Sequence, residues 1–150
     1  MPQSHCGLTM SLQAILLPVF VQVGLTLFLA FWMAAVRMSS ITRGEVKMRD
    51  VALGQPAWTE RGTKIGDAFR NQFELPVLFY VLVVLAIIAR KADVLFVVMS
   101  WIFVVSCIVH AAIHTGSNNV PHRFYAFAVG AIVLLLMWII FALRVLLGLG

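Results

Sequence analysis

Four long apolar runs parted by short polar stretches set the pattern of the chain. From Ile15 to Val36 no Asp, Glu, Lys or Arg interrupts the run. It is longer than the h-region of a secretory signal and has no basic stretch ahead of it, so it reads as a retained first helix over about 12–37. Leu75 to Ala89 is also free of charge but holds only 15 residues. At 1.5 Å per residue these cover roughly 22 Å of a hydrocarbon layer about 30 Å thick. The second helix is therefore extended back to Asp67 and spans about 67–89. Arg90, Lys91 and Asp93 form a tight turn into a third crossing over about 94–114, and the polar link Thr115 to Pro121 leads to a fourth over about 123–147. One substantial loop remains, about 38–66, in which Gly44, Gly54, Pro56 and Gly62 act as breakers.

Composition turns this pattern into a membrane protein: 62% of the 150 residues are apolar and 11% charged, against the roughly 45–50% apolar of a soluble domain. The expected fold is a single all-α domain over 1–150, an integral membrane four-helix bundle with no large extramembrane part. The net charge of +5 is unevenly placed. Seven basic residues (Arg37, Arg43, Lys47, Arg49, Arg61, Lys64, Arg70) and Arg123 fall to the side shared by the loops after helices one and three, whereas Arg90, Lys91 and Arg144 fall to the other. The positive-inside rule puts the first side in the cytoplasm and both termini outside it. A bacterial inner membrane is the expected location. No interleaving of aromatic and basic residues points to nucleic acid, and Cys6 and Cys107 lie too far apart to read a disulfide framework. Four short helices with one polar stripe and no inverted repeat also argue against a transporter or channel.

The candidate chemistry lies at the start of helix two. Asp67, Arg70, Asn71 and Glu74 stand at i, i+3, i+4 and i+7, which puts them on one helical face entering the membrane. An Arg or Asp at the bilayer centre costs about 2.5–3.5 kcal/mol on insertion scales, so such residues face the bundle interior, pair with each other or line a wet cavity. Arg70 and Glu74 are natural i, i+4 partners. The stripe is thus either a buried structural ion pair or a binding site. Pro76 offers no N–H to the Gln72 carbonyl, and a bend is expected at the same depth. On helix three Cys107, His110 and His114 share a face at i, i+3 and i+7. They offer metal-ligand types without the paired spacing of zinc modules, so the bland reading is a small hydrophobe beside hydrogen-bonding imidazoles. His114 and His122 read as interfacial hydrogen-bonding groups, and His5 lies in an exposed tail. Arg123 opens helix four just after Pro121, where a helix N-terminus and a guanidinium both favour an anion. Trp32, Trp101 and Trp138 read as packing or interfacial anchors.

The run Phe69-Arg70-Asn71-Gln72-Phe73-Glu74-Leu75-Pro76, in a chain of four short crossings, resembles the MAPEG family (membrane-associated proteins in eicosanoid and glutathione metabolism), with its Arg-Asn-x-x-Glu motif and nearby proline. His114-Thr115-Gly116 through Pro121-His122-Arg123 is similar to the family's link into helix four. The likeness covers most of the chain and is nearest to uncharacterised bacterial members. It departs from other branches at His114, where tyrosine is frequent, at Phe124, where a hydroxyl residue stands, and at Cys107, where a further arginine is expected. The resemblance implies a homotrimer with glutathione as cosubstrate near the cytoplasmic ends of helices two to four. It also implies that Arg70, Asn71, Glu74 and His114 hold glutathione and that Arg123 sits by its thiol as the catalytic residue.

Three functional expectations stand: two follow from that resemblance together with the residues, and the third, a metal or haem site on Cys107, His110 and His114, from residue type alone. The first is an integral-membrane glutathione-dependent transferase or peroxidase that takes a lipophilic small molecule from the bilayer. The second is a non-catalytic subunit of the same fold that binds lipids or a larger membrane complex, with its polar stripe closed by internal ion pairs.

Overall fold

The computed structural model describes residues 10–148 apart from 53, 55 and 56, so His5, Cys6 and both chain ends lie outside the described residues. The elements are α1 (Leu12–Thr42), α2 (Met48–Val51), α3 (Glu60–Arg70), a 3-10 turn (Asn71–Phe73), α4 (Leu75–Ile88), α5 (Val94–Thr115) and α6 (Val120–Leu146). No strand occurs among the described residues. Four segments are long and apolar enough to cross a membrane: α1, the stretch Glu60–Ile88, α5 and α6. Each starts at a side-chain cap of the kind that satisfies orphan N–H groups. Ser11 Oγ accepts from the Ala14 N–H at 3.3 Å and Thr59 Oγ1 from Gly62 at 3.2 Å. Asp93 Oδ1 accepts from Phe96 at 2.9 Å, and Asn119 Oδ1 from His122 at 3.3 Å.

The loop expected over 38–66 is shorter than its composition suggests. Helix α1 continues through Arg37 to Thr42, and α3 starts at Glu60 rather than near 67. Arg37 stays helical because its guanidinium finds cover in the protein, 4.6 Å from the centre of the Trp58 ring. Helix α3 is amphipathic: Ile65 and Ala68 are fully buried while Glu60 and Arg61 face outward. Helix α6 likewise begins at Val120, since Pro121 is tolerated in a first turn that lacks N–H acceptors. The bend in the second crossing is the 3-10 turn, directly ahead of Pro76 in the first turn of α4.

Packing between α4, α5 and α6 forms the core. Phe79 and Phe103, both fully buried, meet at 4.8 Å between ring centroids, and Leu82, Val104, Leu134 and Met137 close around them. At Gly130 α6 approaches α5 so closely that a Cβ would stand 2.5 Å from Ser106 Oγ, the close approach that small residues permit between membrane helices. Helix α1 is tied to the 3-10 turn by a buried amide pair: Gln22 Nε2 donates to Gln72 Oε1 at 2.8 Å, and Gln72 Nε2 donates to the Ala68 carbonyl at 3.2 Å. The outer surface is apolar, with Phe31 and Ile88 more than 70% exposed. With these four apolar crossings, that surface is the mark of an integral membrane protein.

At the end of the bundle holding the α4–α5 turn, Arg144 Nη2 donates to Asp93 Oδ2 at 2.8 Å and joins α6 to the start of α5. Burial raises the Asp93 carboxyl, but hydrogen bonds from Arg144 and the Phe96 N–H, with the Arg144 charge, outweigh it and hold the group below the usual carboxylate range. A carboxyl depressed on folding stabilises the protein above its unfolded pKa of about 3.9, and that contribution fades as pH falls further towards the folded value. Arg144→Ala therefore lowers thermal stability at neutral pH and by less at about pH 3, while ligand affinity at the far end of the bundle stays within twofold. Melting curves at the two pH values check the first statement and titrations the second.

Candidate functional site

The bend in the second crossing decides how its polar stripe is used. Asp67 and Arg70 occupy the last turn of α3, Asn71 opens the 3-10 turn and Glu74 follows it. The tighter turn takes Glu74 out of α-helical register with Arg70, and the expected Arg70–Glu74 pair does not form. Instead Arg70 Nη1 lies 3.5 Å from Asp67 Oδ1, with side chains 75% and 39% exposed. An ion pair so exposed is worth about 0–1 kcal/mol. Glu74 is exposed and has no ion-pair partner among the described residues. The stripe is thus not closed by its own charges.

Helix α5 presents two buried imidazoles one turn apart, His110 and His114. His110 Nδ1 lies 3.0 Å from the Arg123 carbonyl, which only accepts, so this nitrogen carries the proton. Its Nε2 is then an acceptor, and Asn71 Nδ2 donates to it at 3.1 Å. The same amide nitrogen donates to His114 Nδ1 at 3.4 Å, which leaves the proton of a neutral His114 on Nε2. One amide therefore orients both rings, and a chain of hydrogen bonds runs from the second crossing through α5 to α6. Both His110 nitrogens and one of His114 are taken by protein partners, and among the described residues no group of three or more His, Cys, Asp or Glu side chains is arranged to hold a metal ion.

Arg123 stands in the first turn of α6, and its Nη1 donates to Asn118 Oδ1 at 2.7 Å. Asn118 has φ +50°, a left-handed conformation that asparagine tolerates better than most residues. The α5–α6 link thus fixes the direction of the guanidinium as well as reversing the chain.

These pieces line one open cavity of about 450 Å³. Arg70, Asn71, Glu74, His114 and Arg123, drawn from three crossings, all line it, together with Asp67 and His110. Val120, Phe124 and Phe127 form its apolar wall. Phe124 is 64% exposed, so that wall continues onto the outer apolar surface of α6. Below the main space a recess of about 20 Å³ runs between Pro76, Ser106 and Cys107, and shares Asn71 and His110 with it. Trp58 packs on Arg37 and does not line the cavity, and His122 bonds to Asn119 outside it. Asn118 and the tautomer-setting role of Asn71 escape a reading by spacing. The apolar wall was accessible as the i, i+4, i+7 spacing of Val120, Phe124 and Phe127 on α6.

The fold and site together define an integral-membrane helical protein with a charged cavity at one end of its bundle, walled on one side by exposed apolar residues. The chain belongs to the MAPEG family, whose model matches residues 15–143. That makes it a membrane protein of the family of glutathione and eicosanoid metabolism. No curated protein and no solved structure matches the chain.

Proposed function

We propose that this protein is a membrane-bound glutathione-dependent transferase or peroxidase acting on lipophilic electrophiles. The observation that carries the reading is the cavity itself: two guanidiniums and an unpaired carboxylate converge on a space of about 450 Å³ with an apolar, outward-facing wall. Glutathione has two carboxylates and one ammonium, which suit Arg70 and Glu74 by charge. Asn71 and His114 add hydrogen bonds, the latter from its Nε2–H. Because the Arg70–Asp67 pair is exposed, a ligand carboxylate takes over Arg70 with little loss.

Arg123 completes the reading as the residue beside the thiol. A fixed guanidinium favours the thiolate over the thiol, and the thiolate is the nucleophile. In a transfer, its sulfur forms a C–S bond to the electrophilic carbon and the thiol proton goes to solvent; an aryl halide expels halide with the bonding electrons, whereas an unsaturated carbonyl loses no group and its displaced π electrons take up a proton from solvent at the α-carbon. In a peroxidase turnover, two glutathione molecules are oxidised to the disulfide while a lipid hydroperoxide is reduced to an alcohol and water. Phe124 and Phe127 border the path by which either substrate arrives from the bilayer. The same reading puts the cavity at the cytoplasmic face of a bacterial inner membrane, with both termini outside, in a homotrimer whose apolar faces meet each other and lipid. The accessory-subunit alternative needs a closed stripe, and the unpaired Glu74 speaks against it.

Conjugation of glutathione to an apolar aryl halide or unsaturated carbonyl, followed as the thioether product, tests the proposal. Arg70→Ala and Glu74→Gln each raise the KM for glutathione more than tenfold, because each removes a charged hydrogen bond worth about 1.5–3 kcal/mol. Product formation at the uncatalysed rate by the wild-type protein with both electrophiles, and no reduction of a lipid hydroperoxide, would falsify the catalytic reading.

A further inference from the structure

At the opposite end of the bundle from the charged cavity, the start of α1 and the end of α4 part to leave a second cleft of about 350 Å³. Its floor and walls are apolar, made by Leu12, Ile15, Ala86 and Ile87, and the one charged residue lining it is Arg90. Leu12, one of the residues that line it, is 54% exposed, so the cleft opens on the outer apolar surface.

The way the chain holds Arg90 there is unusual. Helix α4 ends with the Arg90 N–H bonded to the Ile87 carbonyl at 3.1 Å and the Lys91 N–H to the Ala86 carbonyl at 2.9 Å. This is a Schellman ending, whose left-handed position is normally glycine. Here Arg90 occupies it at φ +53°, a conformation that disfavours any residue with a Cβ. A glycine would make the same turn without strain, so the fold alone gives no reason for an arginine. Asp93, the nearest acidic residue in sequence, is engaged by Arg144 and the Phe96 N–H. Arg90 has no ion-pair partner among the described residues.

From the apolar cleft and the unpaired cation at its mouth, we propose that this is a binding site for an anionic glycerophospholipid, one acyl chain lying against Ile15 and Ile87 and the phosphate on Arg90. The charge selects the headgroup, the apolar cleft of about 350 Å³ offers an alkyl chain a dry surface, and both sit at a helix end where a crossing meets the headgroup layer. The site is independent of the glutathione reading and shares no residue with the charged cavity.

Arg90→Gly is the informative variant, because it removes the charge while suiting the turn and so keeps the fold. Native mass spectrometry of the full chain in a neutral detergent, titrated with dioleoyl phosphatidylglycerol or dioleoyl phosphatidylcholine, reads the affinity. A diazirine on the acyl chain of each lipid reads its location. The expected result is phosphatidylglycerol binding at least tenfold tighter to wild type than to Arg90→Gly, with Arg90→Lys close to wild type and phosphatidylcholine weak throughout. Label should fall on the peptides that contain Ile15 and Ala86–Ile87 and disappear from them in Arg90→Gly. Equal phosphatidylglycerol affinity in wild type and Arg90→Gly overturns the proposal, as does equal binding of the two lipids. So does label that reaches those peptides only after deletion of residues 2–9, which assigns the cleft to the chain's own N-terminal segment.

Discussion

Replacing Arg123 by alanine should lower glutathione-dependent turnover by about 10²–10³-fold, the loss typical when one preorganised charge-stabilising donor is removed. The variant is a clean one, since His110 bonds to the main-chain carbonyl of residue 123 and not to its side chain. The Asn71–His110 arrangement therefore survives, and what disappears is the guanidinium that Asn118 holds in place. The deficit should depend on pH. Without the guanidinium, the thiolate fraction follows the ordinary thiol pKa near 8.5, so the rate of the variant keeps rising through that range while wild type has already levelled off. The gap narrows in alkali. A pH–rate series on both proteins checks this, and a constant ratio from pH 6 to pH 9 would remove Arg123 from thiol activation.

The largest effect on stability is expected at Phe103. Its ring is fully buried, meets Phe79 at 4.8 Å and lies 3.8 Å from where a Gly130 Cβ would stand, so it holds α4 and α6 at once. Phe→Ala in a packed core costs about 3–5 kcal/mol. In a bilayer the hydrophobic share of that figure is small, because lipid tails are as apolar as the core, and helix association rests on packing contacts. The expected loss is therefore near the lower end, about 3 kcal/mol. Unfolding measured in bicelles reads it directly. Phe103→Leu, which keeps most of the apolar volume without the ring, should retain more than half of the stability that alanine loses, and equal losses in the two would show that the aromatic ring itself, and not filled apolar volume, holds the helices.

Much of this arrangement was legible from patterns of polarity, because a membrane helix advertises itself by length and by the absence of charge. The Asp67–Arg70–Asn71–Glu74 stripe stood out for the same reason, as charge where charge is expensive. What polarity did not reveal was local geometry. Arg37 reads as the end of a helix until Trp58, 21 positions later, covers it. Arg70 and Glu74 read as partners at i, i+4 until the 3-10 turn ahead of Pro76 breaks the period. The imidazoles of His110 and His114 suggested metal ligands by type, and only the position of Asn71 shows that their lone pairs are already used. Arg90 gave no signal, since a positive φ at a non-glycine residue is not written in the local sequence. In each case a contact or a backbone angle, and not composition, decided the role.

The central claim is that the charged cavity is a glutathione site, and calorimetric titration of the detergent-purified protein with glutathione, run beside Arg70→Ala, tests it most directly. Saturable binding in wild type that weakens more than tenfold in the variant is the expected result. No heat of binding up to millimolar glutathione, or equal affinity in the two proteins, would contradict the claim and turn attention to the accessory role, with lipids or a larger membrane complex as the partner.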